Sequence, residues 1–170
     1  MGSVSSVSAF RLSDRFKQYS MQLESKLLLA SSGMDRVLCL WDLQERKCLG
    51  KCVLEASGTT LDFDRTGKYI LVGLKHGGIA MYHIRYQSTN SATSHATKRP
   101  SSSNNRNRSH PSSTNSVIIK SAELTQVLFR KDSKEEIGDV KFSPDNNLIA
   151  VGSHDNLIYV YRVALSVFFI

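Results

Sequence analysis

The sequence predicts an all-β fold of about three four-stranded antiparallel blades, interrupted by one long insertion. Three observations carry this. Three segments share one template, an aromatic residue holds the same place in each, and short β-rich runs alternate with turn residues. The segments are Leu27 to Leu43, Thr60 to Ile84 and Asp139 to Val163. Trp41, Tyr82 and Tyr161 occupy the shared aromatic place. Phe63 to Tyr82 and Phe142 to Tyr161 are both separated by 19 residues.

The first two aromatics lie 41 residues apart and the last two 79 apart, so the later copy carries about 38 extra residues. Most of the extra chain is 85–116, where 19 of 32 residues are Ser, Thr or Asn and none is acidic. Such a stretch cannot bury a core and is expected to be a disordered loop. It is read first as a tolerated surface insertion, with phosphorylation around Arg99-Pro-Ser-Ser-Ser or polyanion contact as alternatives.

Within each copy the order reads strand, turn, strand, turn, strand. In the last copy Ser143-Pro144-Asp145-Asn146 and Ser153-His154-Asp155-Asn156 supply the turns, and Asp64-Arg-Thr-Gly67 is the matching turn of the second. A fourth strand is expected over 46–54 in the first copy and about 123–130 in the second. Helical spacing is absent, and β-branched and aromatic residues fill the runs. Strands this apolar need cover on both faces, which blades stacked about an axis provide; the architecture is a partial β-propeller.

The domain organisation follows: a poorly ordered segment 1–20, blades one and two over 21–84, the disordered loop 85–116, the remaining strand of blade two with blade three over 117–163, and an apolar tail 164–170. The first blade lacks a convincing inner strand and the third lacks a fourth unless Val167 to Ile170 supplies it. An open array exposes apolar faces, so the chain is expected to be marginal alone and to aggregate or swap.

No apolar run approaches the roughly 20 residues of a membrane span, and no signal peptide is visible. Three cysteines, an odd number, argue against a disulfide framework and for reduced thiols in a cytoplasmic protein. The net charge of +7 would favour a nucleic acid or a membrane surface, but Arg85, Lys98, Arg99, Arg106 and Arg108 place five of those charges in the insertion. With Tyr86 its single aromatic, that segment is a poor single-strand binder, and no specific nucleic-acid partner is expected.

No catalytic chemistry emerges. Ser153-His154-Asp155 has triad residue types, but three consecutive turn residues do not converge as a triad must. Cys48 and Cys52 on one strand stand roughly 13 Å apart at about 3.3 Å per residue, too far to share zinc. Trp41, Tyr82, Tyr159 and Tyr161 recur at template positions and are read as packing between strands. Gly73 and Gly77-Gly78 lack a phosphate-loop context, and Met1-Gly-Ser-Val-Ser-Ser6 matches an N-myristoylation pattern, read first as a chance match with acylation of Gly2 as the alternative. The chain is expected not to be an enzyme and to need no cofactor or metal.

Asp35-Arg-Val-Leu-Cys-Leu-Trp41-Asp42 resembles the WD40 signature, a turn Asp six residues before Trp-Asp. Asp155 to Tyr161 keeps the spacing with Tyr for Trp and Arg162 for the last Asp, while the middle copy has His76 and His83 at the two Asp places. The resemblance implies that Asp35, Trp41, Asp42, Asp155 and Tyr161 are structural, the turn Asp holding the blade by hydrogen bonds. The His that usually precedes the first strand is missing, so that network is expected to be incomplete.

A narrower likeness lies in Lys131 to Asp145 followed by Leu148-Ile-Ala-Val-Gly-Ser-His-Asp-Asn-Leu-Ile-Tyr-Val-Tyr161, which is similar to the tandem propellers of the echinoderm microtubule-associated protein-like (EML) family, most of all the second. The resemblance implies a cytoplasmic, cytoskeletal scaffold that contacts proteins, tubulin among them, together with the remainder of a parent propeller. Members also use a coiled coil and a hydrophobic motif absent here, so microtubule binding is inherited from the family and not read from local residues. The alternatives are a generic WD40 adaptor subunit and a polyanion binder acting through the basic loop. Candidate contact turns are those of Arg36, His76, His154 and Asn156, beside Asp35 and Asp155.

Overall fold

The computed structural model describes residues 4–11, 27–90 and 117–163. Eleven strands run in chain order among the described residues: β1 (Val4–Arg11), β2 (Leu27–Gly33), β3 (Val37–Asp42), β4 (Lys47–Val53), β5 (Gly58–Phe63), β6 (Tyr69–Leu74), β7 (Ile79–Asn90), β8 (Val117–Arg130), β9 (Ile137–Phe142), β10 (Leu148–Ser153) and β11 (Ile158–Arg162). They form three antiparallel sheets in strict sequence order: β1–β4, β5–β8 and β9–β11. These are the three blades of a partial propeller. No described residue is helical, so no helix there is long and apolar enough to cross a membrane.

The repeat is exact in register. Leu29 pairs with Trp41, Ile70 with Tyr82 and Ile149 with Tyr161, so the aromatic of each blade lies opposite the same residue of its second strand. The inner strands β1, β5 and β9 lie side by side, and β4 lies beside β8 at the rim.

Two apolar layers separate the blades. Leu28, Ala30, Leu38 and Leu40 of the first blade meet Ile70, Val72, Ala80 and Tyr82 of the second. Leu71, Ile79 and Met81 of the second meet Ile137, Val140, Ile149 and Val151 of the third. From Ile70 to Leu74 every residue of β6 is therefore buried, whereas β2 and β10 alternate. Period two marks a half-covered strand, and a continuous apolar run marks one covered on both faces. Each fully buried Leu or Ile here contributes about 2 kcal/mol relative to exposure.

Polar contacts join the inner strands of the second and third blades. Thr59 Oγ1 donates to the Ile137 carbonyl at 2.6 Å, Thr60 Oγ1 to Asp139 at 3.1 Å, and the Phe142 amide to Asp62 at 3.0 Å. Gly73 permits this approach, since a Cβ there would stand 2.6 Å from Ile137 Cγ2.

The structure moves two boundaries. The segment 1–20, read as poorly ordered, contains β1, which pairs with β2 from Arg11↔Leu27 to Val4↔Gly33. The first blade thus has the inner strand that the sequence did not reveal. Second, β7 runs on to Asn90 and β8 begins at Val117, so 85–90, read as loop, is strand paired with the first half of β8. The polar residues of 87–90 hide their strand character, but an apolar partner, Val117-Ile-Ile119, pairs with them. Residues 12–20, the remaining 91–116 of the insertion and the tail 164–170 lie outside the described residues. The third blade has three strands among the described ones.

Candidate interaction surface

The turn between the second and third strands is built alike in every blade. In each, a backbone N–H closes on the carbonyl three residues earlier: Arg36 on Gly33 (3.2 Å), Gly77 on Leu74 (3.1 Å) and Asn156 on Ser153 (3.2 Å). Those three closing residues all have positive φ, 59° at Arg36, 88° at Gly77 and 65° at Asn156. The preceding side chain caps the turn, accepting from the amide two residues on: Asp35 from Val37 (3.1 Å), His76 Nδ1 from Gly78 (3.3 Å) and Asp155 from Leu157 (3.0 Å). His76 thus does with a ring nitrogen what the aspartates do with a carboxylate. Burial, and then the charge of Lys131, lower its pKa and favour the neutral ring that can accept.

Antiparallel topology brings these three turns to one end of the array. There each is tied to the chain that joins successive blades. The Leu54 amide donates to the Arg36 carbonyl at 2.7 Å, Lys75 to Ser57 at 2.9 Å and His154 to Glu136 at 2.9 Å. Arg36, His154 and Asn156 are exposed and His76 is half-buried. The surface so formed is held by main-chain bonds and by the capping side chains of Asp35, His76 and Asp155, while the side chains of Arg36, His154 and Asn156 face water.

Of the residues read as structural, Asp35 and Asp155 lie in these turns and Trp41, Asp42 and Tyr161 lie further along the blades. Trp41 Nε1 donates to Ser31 Oγ at 3.0 Å, across β3 and β2. Asp42 is fully buried at the other end of β3 and accepts from the amides of Gln44 (2.9 Å) and Glu45 (3.0 Å), shaping the turn into β4. Tyr161 donates to Asp132 at 2.8 Å.

In the third blade the expected gap in the network is filled. Ser133, buried in the connection before β9, donates to Asp155 Oδ2 at 2.8 Å and lies 2.8 Å from Ser153 Oγ. The Tyr159 hydroxyl donates to the same Asp155 oxygen at 2.6 Å. A serine of the connecting chain therefore stands where the missing histidine was looked for. Ser153, His154 and Asp155 do not converge: Asp155 is engaged by Ser133 and Tyr159, and His154 projects toward Gly138.

The residues that sequence reasoning missed are at the opposite end. Asp64 is buried and accepts from the amides of Thr66 (2.9 Å), Lys68 (2.8 Å) and Tyr69 (2.8 Å), and from the Thr66 hydroxyl. Asn146, at φ 61°, bridges blades by donating to Asp64 at 3.3 Å and accepting from the Arg65 amide at 2.9 Å. The signal was present, since Asp64 and Asn146 sit in the two turns already recognised, but a turn motif does not show that two turns touch.

The three cysteines are free thiols, and burial pushes Cys52 up to about 11. Among the described residues no group of three or more His, Cys, Asp or Glu is placed to hold a metal. Of the five basic residues in 85–116, Arg85 lies on β7 and the other four are outside the described residues.

The family model of the WD domain, G-beta repeat, matches residues 123–162. Echinoderm microtubule-associated protein-like 3 of Mus musculus is 27% identical over 132 residues, which cover 78% of this chain and 11% of that protein. The 77 kDa echinoderm microtubule-associated protein of Strongylocentrotus purpuratus is 23% identical over 136 residues, 80% of this chain and 14% of the relative. Echinoderm microtubule-associated protein-like 2 of Homo sapiens is 57% identical over 37 residues, 22% of this chain and 6% of that protein. The chain thus spans between 6% and 14% of the length of these relatives.

Proposed function

We propose that this chain, which carries WD40 repeats and is similar in sequence to the echinoderm microtubule-associated protein-like proteins, works as a non-catalytic protein-interaction scaffold whose partners meet the turn end of its blades. One observation carries the reading. The turns of Arg36, His76 and His154 are repeated with one backbone geometry and tied by main-chain bonds to the connections between blades, and the side chains of Arg36, His154 and Asn156 stand exposed on them. A rigid scaffold presenting variable exposed turns is how binding surfaces are commonly arranged.

Tubulin is the partner we assign first. The relatives are named as microtubule-associated proteins, and the cytoskeleton is the matching location. An adaptor in another protein complex would use the same surface with a different partner. Binding of a polyanion would instead draw on Lys98, Arg99, Arg106 and Arg108.

Microtubule co-sedimentation across a salt series tests the assignment, using the full chain and a version with 91–116 replaced by Asn-Gly. Asn90 already pairs with Val117, so a two-residue turn closes the ribbon without removing paired strand. Salt-resistant pelleting by both versions supports tubulin binding by the blades. Pelleting that disappears with salt or with the segment supports attraction of a basic stretch to acidic tubulin. No pelleting by folded protein overturns the tubulin assignment and leaves the adaptor reading.

A further inference from the structure

A register slip in the first blade puts two of its three cysteines on one face. β3 turns Leu38 and Leu40 into the blade contact, so Cys39 and Trp41 face the other way. On β4, Cys52 lies opposite Leu38 and packs against the apolar layer between the first two blades. Strict alternation from Cys52 would send Cys48 to that same inner face. The bulge between Leu40 and Trp41 prevents this. It gives β4 one extra residue, so Leu49 turns inward at 4% exposure and Cys48 stands opposite Trp41 instead of Asp42. Cys48 therefore shares the outer face with Cys39, and Cys52 does not.

The two thiols are neighbours on that face. Cys39 is diagonal to Cys48, a placement within side-chain reach across antiparallel strands. Burial raises the Cys39 pKa first, and Cys48 adds to the rise by its charge and by a hydrogen bond between the two side chains. Lys51, directly opposite Cys39, pulls the other way and favours the thiolate. Cys48 is exposed on the rim strand, and Cys39 is half-buried beside it. An exposed thiol with a second thiol next to it is the arrangement of a reacting cysteine and its resolving partner. Neither residue takes part in the turn surface or in the contact between blades.

We propose that Cys39 and Cys48 are a reversible redox site, at which a small disulfide such as oxidised glutathione converts the two thiols into one disulfide across β3 and β4. The Cys48 thiolate attacks a sulfur of oxidised glutathione; a mixed disulfide forms, the S–S bond of glutathione breaks and one glutathione thiolate leaves. The Cys39 thiolate then attacks the Cys48 sulfur, the mixed disulfide breaks and the second glutathione leaves. The two cysteine sulfurs are oxidised and the two glutathione sulfurs reduced. The protons shed by Cys39 and Cys48 end on the two released thiols. The new bond ties the rim strand to its neighbour beside the bulge and leaves the turn surface untouched. It does not depend on which protein the turns bind.

Peptide mapping of the full chain is the test. The folded protein is incubated with mixtures of reduced and oxidised glutathione, alkylated, and digested with trypsin without reduction. Cleavage after Arg36, Arg46, Lys47, Lys51 and Arg65 puts the three cysteines in separate peptides, 37–46, 48–51 and 52–65. The expected result is loss of two of the three free thiols and a single product, 37–46 joined to 48–51. Its yield is expected not to vary with protein concentration, and dithiothreitol is expected to reverse it. In urea Cys52 is expected to enter the pairing, because the register that sets it on the other face is gone. Cys39→Ser is expected to leave Cys48 as the mixed disulfide with glutathione, and Cys52→Ser to leave the product unchanged. Three thiols that stay free in oxidised glutathione overturn the proposal. So does a link to Cys52 in the folded chain, a link between copies, a glutathione adduct that persists with all three cysteines present, or the same pairing in urea as in the folded protein.

Discussion

The Tyr159 hydroxyl and Asp155 Oδ2 are 2.6 Å apart, and this hydrogen bond is the largest of the influences that hold the Asp155 carboxyl at about 2 instead of the ordinary 3.8. A carboxyl whose folded value is depressed stabilises the fold above its unfolded value. That contribution is lost as the pH falls from 3.8 through 2. Urea midpoints measured through this window are expected to drop. Tyr159→Phe is expected to flatten the drop, because the first cause of the depression is gone. Asp145 is depressed in the same direction by Ser143 and Asn147, but it is shared by both proteins and cancels in the comparison.

Asp64→Ala removes the acceptor of three backbone amides and of the Asn146 side chain at a buried site. Buried donors left without partners cost about 1–3 kcal/mol each, and some will relax to water at the turn. A loss of about 3 kcal/mol in chemical denaturation is expected. A loss below about 0.5 kcal/mol would mean that the two turns are held together by something other than this carboxylate.

Gly77→Ala is expected to cost about 2 kcal/mol. Its φ of 88° disfavours any L side chain, and the new Cβ would stand 2.3 Å from the Ser133 carbonyl. Because Ser133 belongs to the Asp155 network, the substitution is also expected to raise proteolysis at the connection between β8 and β9. The equivalent Arg36 and Asn156 already carry side chains at positive φ, and Arg36→Gly is expected to be stabilising or neutral in the same assay.

Ser32→Ala behaves oppositely to most core substitutions. Ser32 Oγ is buried with no hydrogen-bond partner, close to Gly58. Removing an unpaired buried hydroxyl is expected to be neutral or to stabilise by about 1 kcal/mol. A melting temperature lowered by several degrees would show that the hydroxyl is bonded in solution.

The blades were legible because each strand repeats its register. Once Trp41, Tyr82 and Tyr161 are aligned, the strand pairings follow, and so does which face each blade turns to its neighbour. What escaped was whatever pairs without a pattern of its own. The run Val4 to Arg11 alternates weakly and is rich in Ser, yet β2 supplies its hydrogen bonds. Gln87 to Asn90 look like linker but lie opposite Val117 to Ser121. Ser133 and Asn146 act through partners 22 and 82 residues away, distances at which a single sequence has no periodicity to offer.

β6 is buried along both faces from Ile70 to Leu74, shared as a wall by two apolar layers. In a stack whose stability is a sum of neighbour contacts, such a wall opens only when both contacts are given up together. Its amides are expected to be the last to exchange with deuterated water, later than those of β3 or β10, each covered from one side. The kinetic centre of the molecule is therefore expected in the apolar strand Tyr-Ile-Leu-Val-Gly-Leu, whose last residue, Leu74, anchors the turn closed by Gly77. The turn surface can vary in sequence without loosening that strand.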